Sequence, residues 1–193
     1  NSTKKLFEFS GGSSQHITVP AGFNDFSSGA TFFVVADLGT GSSWERFFDF
    51  SVGGATNDAF NFGRKNTTTN LSLQFYHVEE GNANISLESN QISNDTLANY
   101  AITTDGTNAR VYKNGVLVET ISFAATLSDV ERNQNYIGRS RAGGNAYYEG
   151  DLAVAAIFNR TLTATEIADL YTYYSAVYDL SLIHISEPTR RTP

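Results

Sequence analysis

Glu45 and Asp49 are the two carboxylates whose spacing could serve catalysis. Side chains alternate between the two faces of a β-strand, so residues four positions apart share a face. Two carboxylates on one face can hydrolyse glycosidic bonds with retention when they lie about 5 to 5.5 Å apart. A single pair of this kind arises easily by chance, and Arg46 and two phenylalanines lie between the two acids. We therefore predict no catalytic residues and keep glycoside hydrolase only as a distant alternative.

No other catalytic or cofactor-binding motif stands out. Cysteine is absent, which excludes disulfides and thiolate metal sites. His16 and His77 lie in unrelated contexts, and no serine lies in a nucleophile motif. The Gly-Gly pairs are typical of turns and do not form a phosphate-binding motif.

Four residues near flexible loops have the types that contact ligands. Sugar-binding sites place flat aromatic rings against sugar faces and use polar side chains for the hydroxyl groups. Trp44, the only tryptophan, follows a Gly/Ser loop, and Asn145, Tyr147 and Tyr148 follow a Gly-Gly pair. We predict these four residues as ligand contacts. The alternative is that each aromatic ring packs at the edge of the fold.

The elements that would position these residues are mostly β-strands. The segment 71–76 alternates apolar and polar residues, which is the period of a strand with one face in water. Segments 31–37 and 151–159 are apolar on both faces, which predicts central strands covered from both sides. Asn114-Gly115 lies between two apolar runs and predicts a two-residue hairpin turn.

One helix is predicted near the end of the chain. Thr163 and Glu166 form a capping box, in which each side chain satisfies a free backbone amide of the first turn. The apolar face of this helix consists of Ile167, Leu170, Tyr171 and Tyr174. Tyr173 and Tyr178 are expected to fall off that face. Exposed tyrosines of this kind indicate an interface with another domain or subunit.

These elements together predict the fold. The chain has 193 residues, of which 40% are hydrophobic, enough for one domain with a sizeable core. About a dozen short strands at regular spacing and one helix predict an all-β architecture. We expect a two-sheet antiparallel jelly-roll β-sandwich with one short C-terminal helix, formed by residues 1–179.

Several motifs follow one another in a recognisable order. They are Ile137-Gly138-Arg139-Ser140, Gly150-Asp151-Leu152-Ala153, Phe158-Asn159-Arg160-Thr161-Leu162 and Ala164-Thr165-Glu166-Ile167. A hairpin unit that begins at Asp105-Gly106 and ends at Asn114-Gly115 precedes them. In this order the chain resembles laminin G-like domains of the concanavalin A-like lectin/glucanase superfamily. The resemblance covers roughly residues 6 to 174 and implies the jelly-roll fold.

The resemblance also suggests one cofactor, a structural Ca²⁺. Many laminin G-like domains carry a calcium-binding aspartate in the penultimate strand, but Ala153 occupies that position here. Asp151 lies two residues earlier and resembles the pattern of another subtype. Because calcium prefers oxygen ligands, we predict a candidate calcium site at Asp151 with Glu8. The alternative is that Asp151 is solvated at the start of its strand.

Charge and composition restrict the possible partners and the possible location of the protein. A net charge of −7 argues against a nucleic-acid partner, which requires a cationic surface. No apolar run is long enough for membrane insertion. Few charges with abundant Thr, Asn, Gly and Tyr are typical of extracellular β-proteins, and the absence of Met at position 1 suggests a removed leader or an incomplete fragment. We expect an extracellular or cell-surface location. Candidate glycosylation sequons begin at Asn66, Asn70, Asn84, Asn94 and Asn159, with a further one at Asn1.

The last stretch is interpreted separately. Residues 180–190 resemble, position by position, the in-frame translation of a transposase adaptor used in sequencing libraries. We therefore predict that residues 180–193 are a tail outside the fold and that the natural chain continues differently after Asp179. The alternative is an ordinary apolar strand followed by a tail.

Three functions are consistent with the sequence, of which glycoside hydrolase, considered above, is the distant third. The leading one is an extracellular carbohydrate- or matrix-binding module, lectin-like or adhesive, that works without catalysis on a glycan or an extracellular protein. The main alternative is a structural subunit that self-assembles as a homo-oligomer or polymer into an extracellular fibre, sheath or appendage. The exposed tyrosines and the acidic surface fit this alternative equally well.

Overall fold

The structure is a computed structural model that describes residues 6–39, 42–53, 58–76, 85–125, 127, 129–144 and 147–180. In chain order the strands are β1 (Phe7–Phe9), β2 (Ile17–Val19), β3 (Ala30–Ala36), β4 (Arg46–Ser51), β5 (Ala59–Arg64), β6 (Asn70–Tyr76), β7 (Ile85–Asn90), β8 (Ala98–Thr104), β9 (Asn108–Lys113), β10 (Val116–Ser122), β11 (Gln134–Ile137) and β12 (Gly150–Phe158). A single α-helix, α1 (Ala164–Tyr178), follows the last strand.

The strands form two six-stranded sheets. The first sheet has the order β1-β12-β3-β8-β9-β10, and the second has the order β2-β11-β4-β5-β6-β7. Every pairing between neighbouring strands is antiparallel. This arrangement confirms the predicted two-sheet jelly-roll sandwich with one short C-terminal helix.

Phenylalanine dominates the core between the two sheets. Phe32 of the first sheet lies 5.1 Å from Phe60 and 6.2 Å from Phe62 of the second, measured between ring centroids. All three side chains are fully buried. Burying a phenylalanine contributes about 1.5–3 kcal/mol relative to leaving it in water, so these three rings together stabilise the fold by several kcal/mol.

Helix α1 covers the outer face of the first sheet. Phe33 and Val35 alternate with the core-facing residues of β3 and pack against the helix, as predicted for a strand covered on both sides. Ile167 is fully buried there, and the ring of Tyr174 lies 5.8 Å from that of Phe33. Because the only α-helix in the described residues covers the first sheet, the described outer face of the second sheet carries no α-helix.

The structure confirms the predicted capping box at the start of the helix, but one of the two tyrosines predicted to be exposed is packed. Thr163 Oγ1 accepts a hydrogen bond from the Glu166 amide at 3.2 Å, and Glu166 Oε2 accepts from the Thr163 amide at 2.8 Å. Tyr173 is 65% exposed, as expected for a residue off the packed face. The prediction for Tyr178 was wrong, because this ring stacks on Tyr174 at 6.4 Å and packs on the first sheet.

Helix α1 ends at Tyr178, and Asp179 caps it with a left-handed backbone conformation. The amide of Leu180 donates to the carbonyl of Ser175 at 3.2 Å, and its side chain is buried against the helix side of the first sheet. Leu180, the first residue of the predicted tail, therefore packs on the fold, which the tail prediction did not expect. Residues 181–193 lie outside the described residues, so their assignment to a tail stays a prediction. Within the described part of the chain, no helix is long and apolar enough to span a membrane.

Candidate functional site

The outer face of the second sheet is polar. Phe48, Phe60 and Phe75 point into the core, so the residues next to them in each strand point outward. Strand register places five outward residues in one row across five strands, and they are Thr18, Tyr136, Asp49, Asn61 and Gln74. We call the outer surface of β11, β4, β5 and β6, with the side chains of Arg46, Ser51 and Ser72, the polar face.

Arg46 lies across the polar face and is only 3% exposed. Its Nη1 donates to the carbonyl of Arg64 at 2.9 Å, and its Nη2 donates to Gln74 Oε1 at 3.0 Å. The guanidinium carbon lies 5.0 Å from the centre of the Trp44 ring, in cation–π geometry. Burial lowers the pKa of Arg46 to about 10, and Arg46 still carries its charge at neutral pH.

A β-bulge in β4 decides where the two predicted carboxylates point. The pairing of β4 with β5 shifts between Arg46 and Phe48, and both Phe47 and Phe48 enter the core. The expectation that Glu45 and Asp49 share a strand face was therefore wrong, because the extra residue reverses the alternation. Gly63 permits this bulge, since an added Cβ would lie 2.1 Å from the carbonyl oxygen of Glu45.

Glu45 is locked in a buried ion pair. Arg64 Nε donates to Glu45 Oε2 at 2.8 Å, and both side chains have no exposed surface. Arg64 also donates to the carbonyls of Gly39 and Thr68, at 2.7 and 3.0 Å. Burial raises the pKa of Glu45, although the charge of Arg64 acts in the opposite direction. A carboxylate without access to solvent cannot act as a catalyst on a substrate, so this pair fastens loops.

Asp49 anchors the loop that follows β11. Its Oδ2 accepts from the Arg141 amide at 2.9 Å and from Ser140 Oγ at 3.0 Å, and its Oδ1 accepts from the Arg141 guanidinium. The two side chains are 2% and 4% exposed. The loop is therefore held against the polar face by a nearly buried ion pair.

A partly exposed aromatic cluster borders the polar face at β11. The guanidinium of Arg139 lies 4.7 Å from the ring centre of Tyr136 and 6.0 Å from that of Tyr147. The His16 ring lies 5.6 Å from Tyr136 and 6.1 Å from Tyr147. Tyr136, Arg139 and Tyr147 are each partly exposed, so their rings and charge are accessible to a ligand.

Unpaired polar atoms concentrate on the polar face. Within the described residues, seven buried side-chain oxygen or nitrogen atoms have no hydrogen-bond partner. Four of them lie on this one face, and they are Arg46 Nε, Ser51 Oγ, Asn61 Oδ1 and Ser72 Oγ. A buried polar atom without a partner costs about 1–3 kcal/mol. Four on one face indicate that the hydrogen bonding of this face is completed by enclosed water.

The predicted ligand contacts separate into three groups. Trp44 and Tyr147 border the polar face, where the structure brings them together with Arg46 and Arg139. Asn145 lies outside the described residues. The prediction for Tyr148 was wrong, because its side chain is fully buried in the core.

Tyr148 has a structural role instead. Its hydroxyl donates toward the carbonyls of Asp37 and Asp151, the latter at 2.9 Å. Burial raises the pKa of Tyr148 well above its ordinary value. The adjacent tyrosines 147 and 148 therefore point in opposite directions, one to the surface and one to the core, as the alternation of an extended chain requires.

The predicted calcium ligands lie side by side. Glu8 and Asp151 are partners across the β1–β12 pair, and the Asp37 amide donates to the Asp151 carbonyl at 2.8 Å. Burial raises the pKa of Asp37, and the nearby charges of Asp95 and Asp151 raise it further. In the described residues, no three His, Asp or Glu side chains form a group that could hold a metal ion. The calcium site stays a prediction.

The sequons that can be placed differ in environment. Asn66, Asn94 and Asn159 are exposed and Asn70 is partly exposed, whereas Asn84 lies outside the described residues. Asn94 Oδ1 accepts from Arg64 Nη1 at 3.1 Å, so this side chain is already engaged. Whether any sequon carries a glycan stays a prediction.

Sequence reasoning missed the arginines of this site and Tyr136. Arg141 and Asp49 are 92 positions apart in sequence, so no local spacing joins them. The polar residues between the core phenylalanines of β4 and β5 were a usable signal, since a polar row opposite a phenylalanine core marks an outer face.

Comparison with known proteins agrees with this architecture. A laminin G model described as the concanavalin A-like lectin/glucanases superfamily matches residues 10–168. No curated protein matches the sequence. Among solved structures, a Ruminococcus gnavus IT-sialidase CBM40 bound to α2,3-sialyllactose is similar, with a TM-score of 0.62 at 13% identity. The match covers 81% of this chain and 96% of that one.

Two further structures are similar. The K499G mutant of the NanB sialidase of Streptococcus pneumoniae has a TM-score of 0.63 at 13% identity, over 84% of this chain and 27% of that one. A native heptameric SAP-like pentraxin of Limulus polyphemus has a TM-score of 0.54 at 16% identity, over 81% and 75%. At these identities the likeness establishes the fold alone.

Proposed function

The chain belongs to the concanavalin A-like lectin/glucanases superfamily, and we propose that it is a carbohydrate-binding module that holds glycans on its polar face. One observation carries this proposal. Four buried polar atoms without partners lie on that face, and partly exposed aromatic side chains border it. A polar floor with an aromatic border is the arrangement that recognises sugars, which present hydroxyl groups and apolar ring faces.

The chemistry of the unpaired atoms favours a ligand rich in hydroxyl groups. Arg46 Nε is a donor, Asn61 Oδ1 is an acceptor, and the hydroxyl groups of Ser51 and Ser72 can do both. Sugar hydroxyls also donate and accept. Because the floor atoms are buried, Trp44, Tyr136 and Tyr147 make the direct contacts in this proposal, and the floor acts through bridging water.

An acidic sugar is the first ligand to test. Arg139 is partly exposed and stacks on two tyrosines, and a guanidinium in this position suits a carboxylate or another anion. The chain as a whole has a net charge of −7, but the polar face and its border carry more cationic than anionic side chains. The cationic ones are Arg46, Arg139 and Arg141, and the carboxylate is Asp49. This face is therefore locally cationic. The similar Ruminococcus gnavus module is bound to sialyllactose, which carries a carboxylate.

Titration with α2,3-sialyllactose by calorimetry tests the proposal, with neutral lactose as the ligand control. We expect Trp44→Ala, Tyr147→Ala and Arg139→Ala each to weaken binding about fivefold, because one aromatic or cation–π contact contributes about 1 kcal/mol. Tyr173→Ala is the matched control, since this exposed tyrosine lies on the helix over the other sheet. Equal binding by all four variants, or no binding of any glycan on an array, would overturn the proposal.

We propose binding without catalysis. Glu45 has no exposed surface, and Asp49 is held by Arg141, so neither carboxylate is available to a glycosidic bond. The same titrations serve as the assay, and we expect no release of lactose from sialyllactose after long incubation. Release that disappears in Glu45→Gln would contradict this expectation.

We also place the module outside the cell or on its surface, with a glycan or an extracellular protein as the partner. The support is the composition, the sequons and the proposed glycan ligand. Labelling of intact producing cells and their medium with a membrane-impermeant amine reagent tests this location. Labelling that requires cell lysis would refute it.

A further inference from the structure

Both edge strands of the first sheet carry exposed apolar side chains, and no described strand pairs with the outer side of either. The structure has seven large hydrophobic side chains that are exposed within its described residues. Five of them lie on or beside the two edge strands, β1 and β10. They are Leu6 at 37%, Phe7 at 61%, Val116 at 64%, Leu117 at 46% and Val118 at 41%.

The edge strand β10 has few of the features that keep sheet edges apart. Six of its seven residues are exposed, and it contains no lysine, arginine or proline. Its one charged residue, Glu119, is turned toward the second sheet, because its carboxylate accepts from Ser89 Oγ. A bulge leaves Val118 without a partner residue on β9. An exposed edge with free backbone groups and apolar side chains is a template for another strand.

The two edge strands lie at different levels along the strand direction. Phe7 pairs with Leu152, Leu152 with Ala36 and Ala36 with Ala98, so these four residues share one level. Val116 lies two residues further along β8, since Tyr100 is level with Lys113 and Lys113 pairs with Val116. β1 continues from Phe7 in one direction and β10 continues from Val116 in the other, so the two strands do not overlap in level. A second copy must therefore be displaced by about three residues, roughly 10 Å along the strands, for its Phe7 to lie beside Leu117.

Strand direction also suits addition of another copy. The six strands alternate in direction, so β1 and β10 run opposite to one another. When two copies stand in the same orientation with this displacement along the strands, β10 of one copy lies antiparallel to β1 of the next, and the alternation of strand direction continues. An isologous pairing of β10 with β10 would instead leave the apolar β1 edge uncovered.

We propose that the first sheet joins copies of this chain edge to edge, with β10 of one copy added to β1 of the next. The contact is heterologous, so it continues from copy to copy and does not close into a dimer. Only three residues of β1 are in strand conformation, so each contact is small and assembly depends on a high local concentration. The polar face belongs to the second sheet and stays free in such an assembly.

Edge-blocking variants test the proposal. We expect the unmodified protein to self-associate with rising concentration in sedimentation velocity. Phe7→Lys and Val118→Lys should each raise the concentration needed for assembly roughly tenfold or more, because a charge in the joint replaces apolar burial. Tyr173→Lys is the matched control, with 65% exposure away from both edges, and it should assemble normally.

A mixture of the two blocked variants separates this geometry from its alternatives. Phe7→Lys keeps an open β10, and Val118→Lys keeps an open β1, so an equal mixture should form one-to-one dimers and nothing larger. Assembly by Phe7→Lys alone would indicate β10–β10 pairing and would overturn the proposal. A protein that stays monomeric at every concentration would also overturn it.

Crosslinking gives a second measurement that does not depend on affinity. The chain contains no cysteine, so Phe7→Cys and Leu117→Cys introduce the only thiols. After oxidation of a mixture, we expect the mixed disulfide to exceed both symmetric ones at least fivefold. A statistical distribution of the three products would contradict the proposed joint. Both variants should keep the glycan affinity of the unmodified protein, so failure of this proposal leaves the proposed function untouched.

Discussion

At the scale of single residues, buried charge in this protein is nearly always matched by a specific partner. Glu45 pairs with Arg64 and Asp49 with Arg141, and both pairs fasten loops to strands. Arg132 is fully buried and donates to the backbone carbonyls of Phe23 and Asp58, at 2.6 and 2.9 Å. Such groups must be fully hydrogen-bonded, because an unpaired buried charge is strongly destabilising.

Asp37 departs from this pattern. Its Oδ1 is buried without a partner, and burial together with the charges of Asp95 and Asp151 raises its pKa. A folded-state pKa above the unfolded one means that ionisation favours unfolding. The destabilisation is absent below the ordinary pKa of 3.8 and complete once the pH exceeds the raised pKa.

Asp37→Asn should therefore stabilise the calcium-free protein at neutral pH and give no gain at pH values below the ordinary pKa of the carboxyl. Thermal unfolding across this pH range measures the difference. Adding Ca²⁺ tests the predicted ion beside Asp151, because a bound cation would stabilise the unmodified protein more than the variant. A variant that is less stable at neutral pH without calcium would contradict the argument.

At the scale of elements, strand β4 and the loop after β11 decide the shape of the candidate site. The bulge at Phe47 sends an extra phenylalanine into the core and leaves Arg46 and Asp49 on the polar face. Asp49 then holds the loop whose neighbours Arg139 and Tyr147 border that face. One ion pair thereby links the sheet to the residues proposed to contact the ligand.

Asp49→Asn should lower the free energy of unfolding by about 3 kcal/mol, because it removes the negative charge that the nearly buried Arg141 guanidinium contacts. We also expect weaker glycan binding, since the loop loses its anchor. Urea denaturation measures the first effect and calorimetric titration the second. Asp105→Asn is the control, because the Asp105–Arg110 pair is 36% and 35% exposed and its loss should cost under about 1 kcal/mol. Equal losses in the two variants would refute the role given to burial.

At the scale of the whole molecule, the elements were predictable and their relations were less so. The capping box, the Asn114-Gly115 turn and the doubly covered strand 31–37 depend on local chemistry, and the structure confirms them. The polar face depends on register between distant strands and on one bulge, neither of which has a local signature. Tyr148 shows the same limit, because a tyrosine after a glycine loop is equally suited to a surface or to a core.

The helix over one sheet has a consequence for engineering. Because α1 packs against the first sheet, it does not cover the outward residues of β4, β5 and β6, yet Asp49, Asn61 and Gln74 are at most 6% exposed. Those positions are therefore unsuited to randomisation. A library of side chains can instead be displayed at the partly exposed border residues Trp44, Tyr136, Arg139 and Tyr147, while the interior keeps its sequence. Asp49 and Arg46 are best left unvaried, because they hold the border in place. The domain is in this sense a cysteine-free display scaffold whose variable surface is the border of a sheet face.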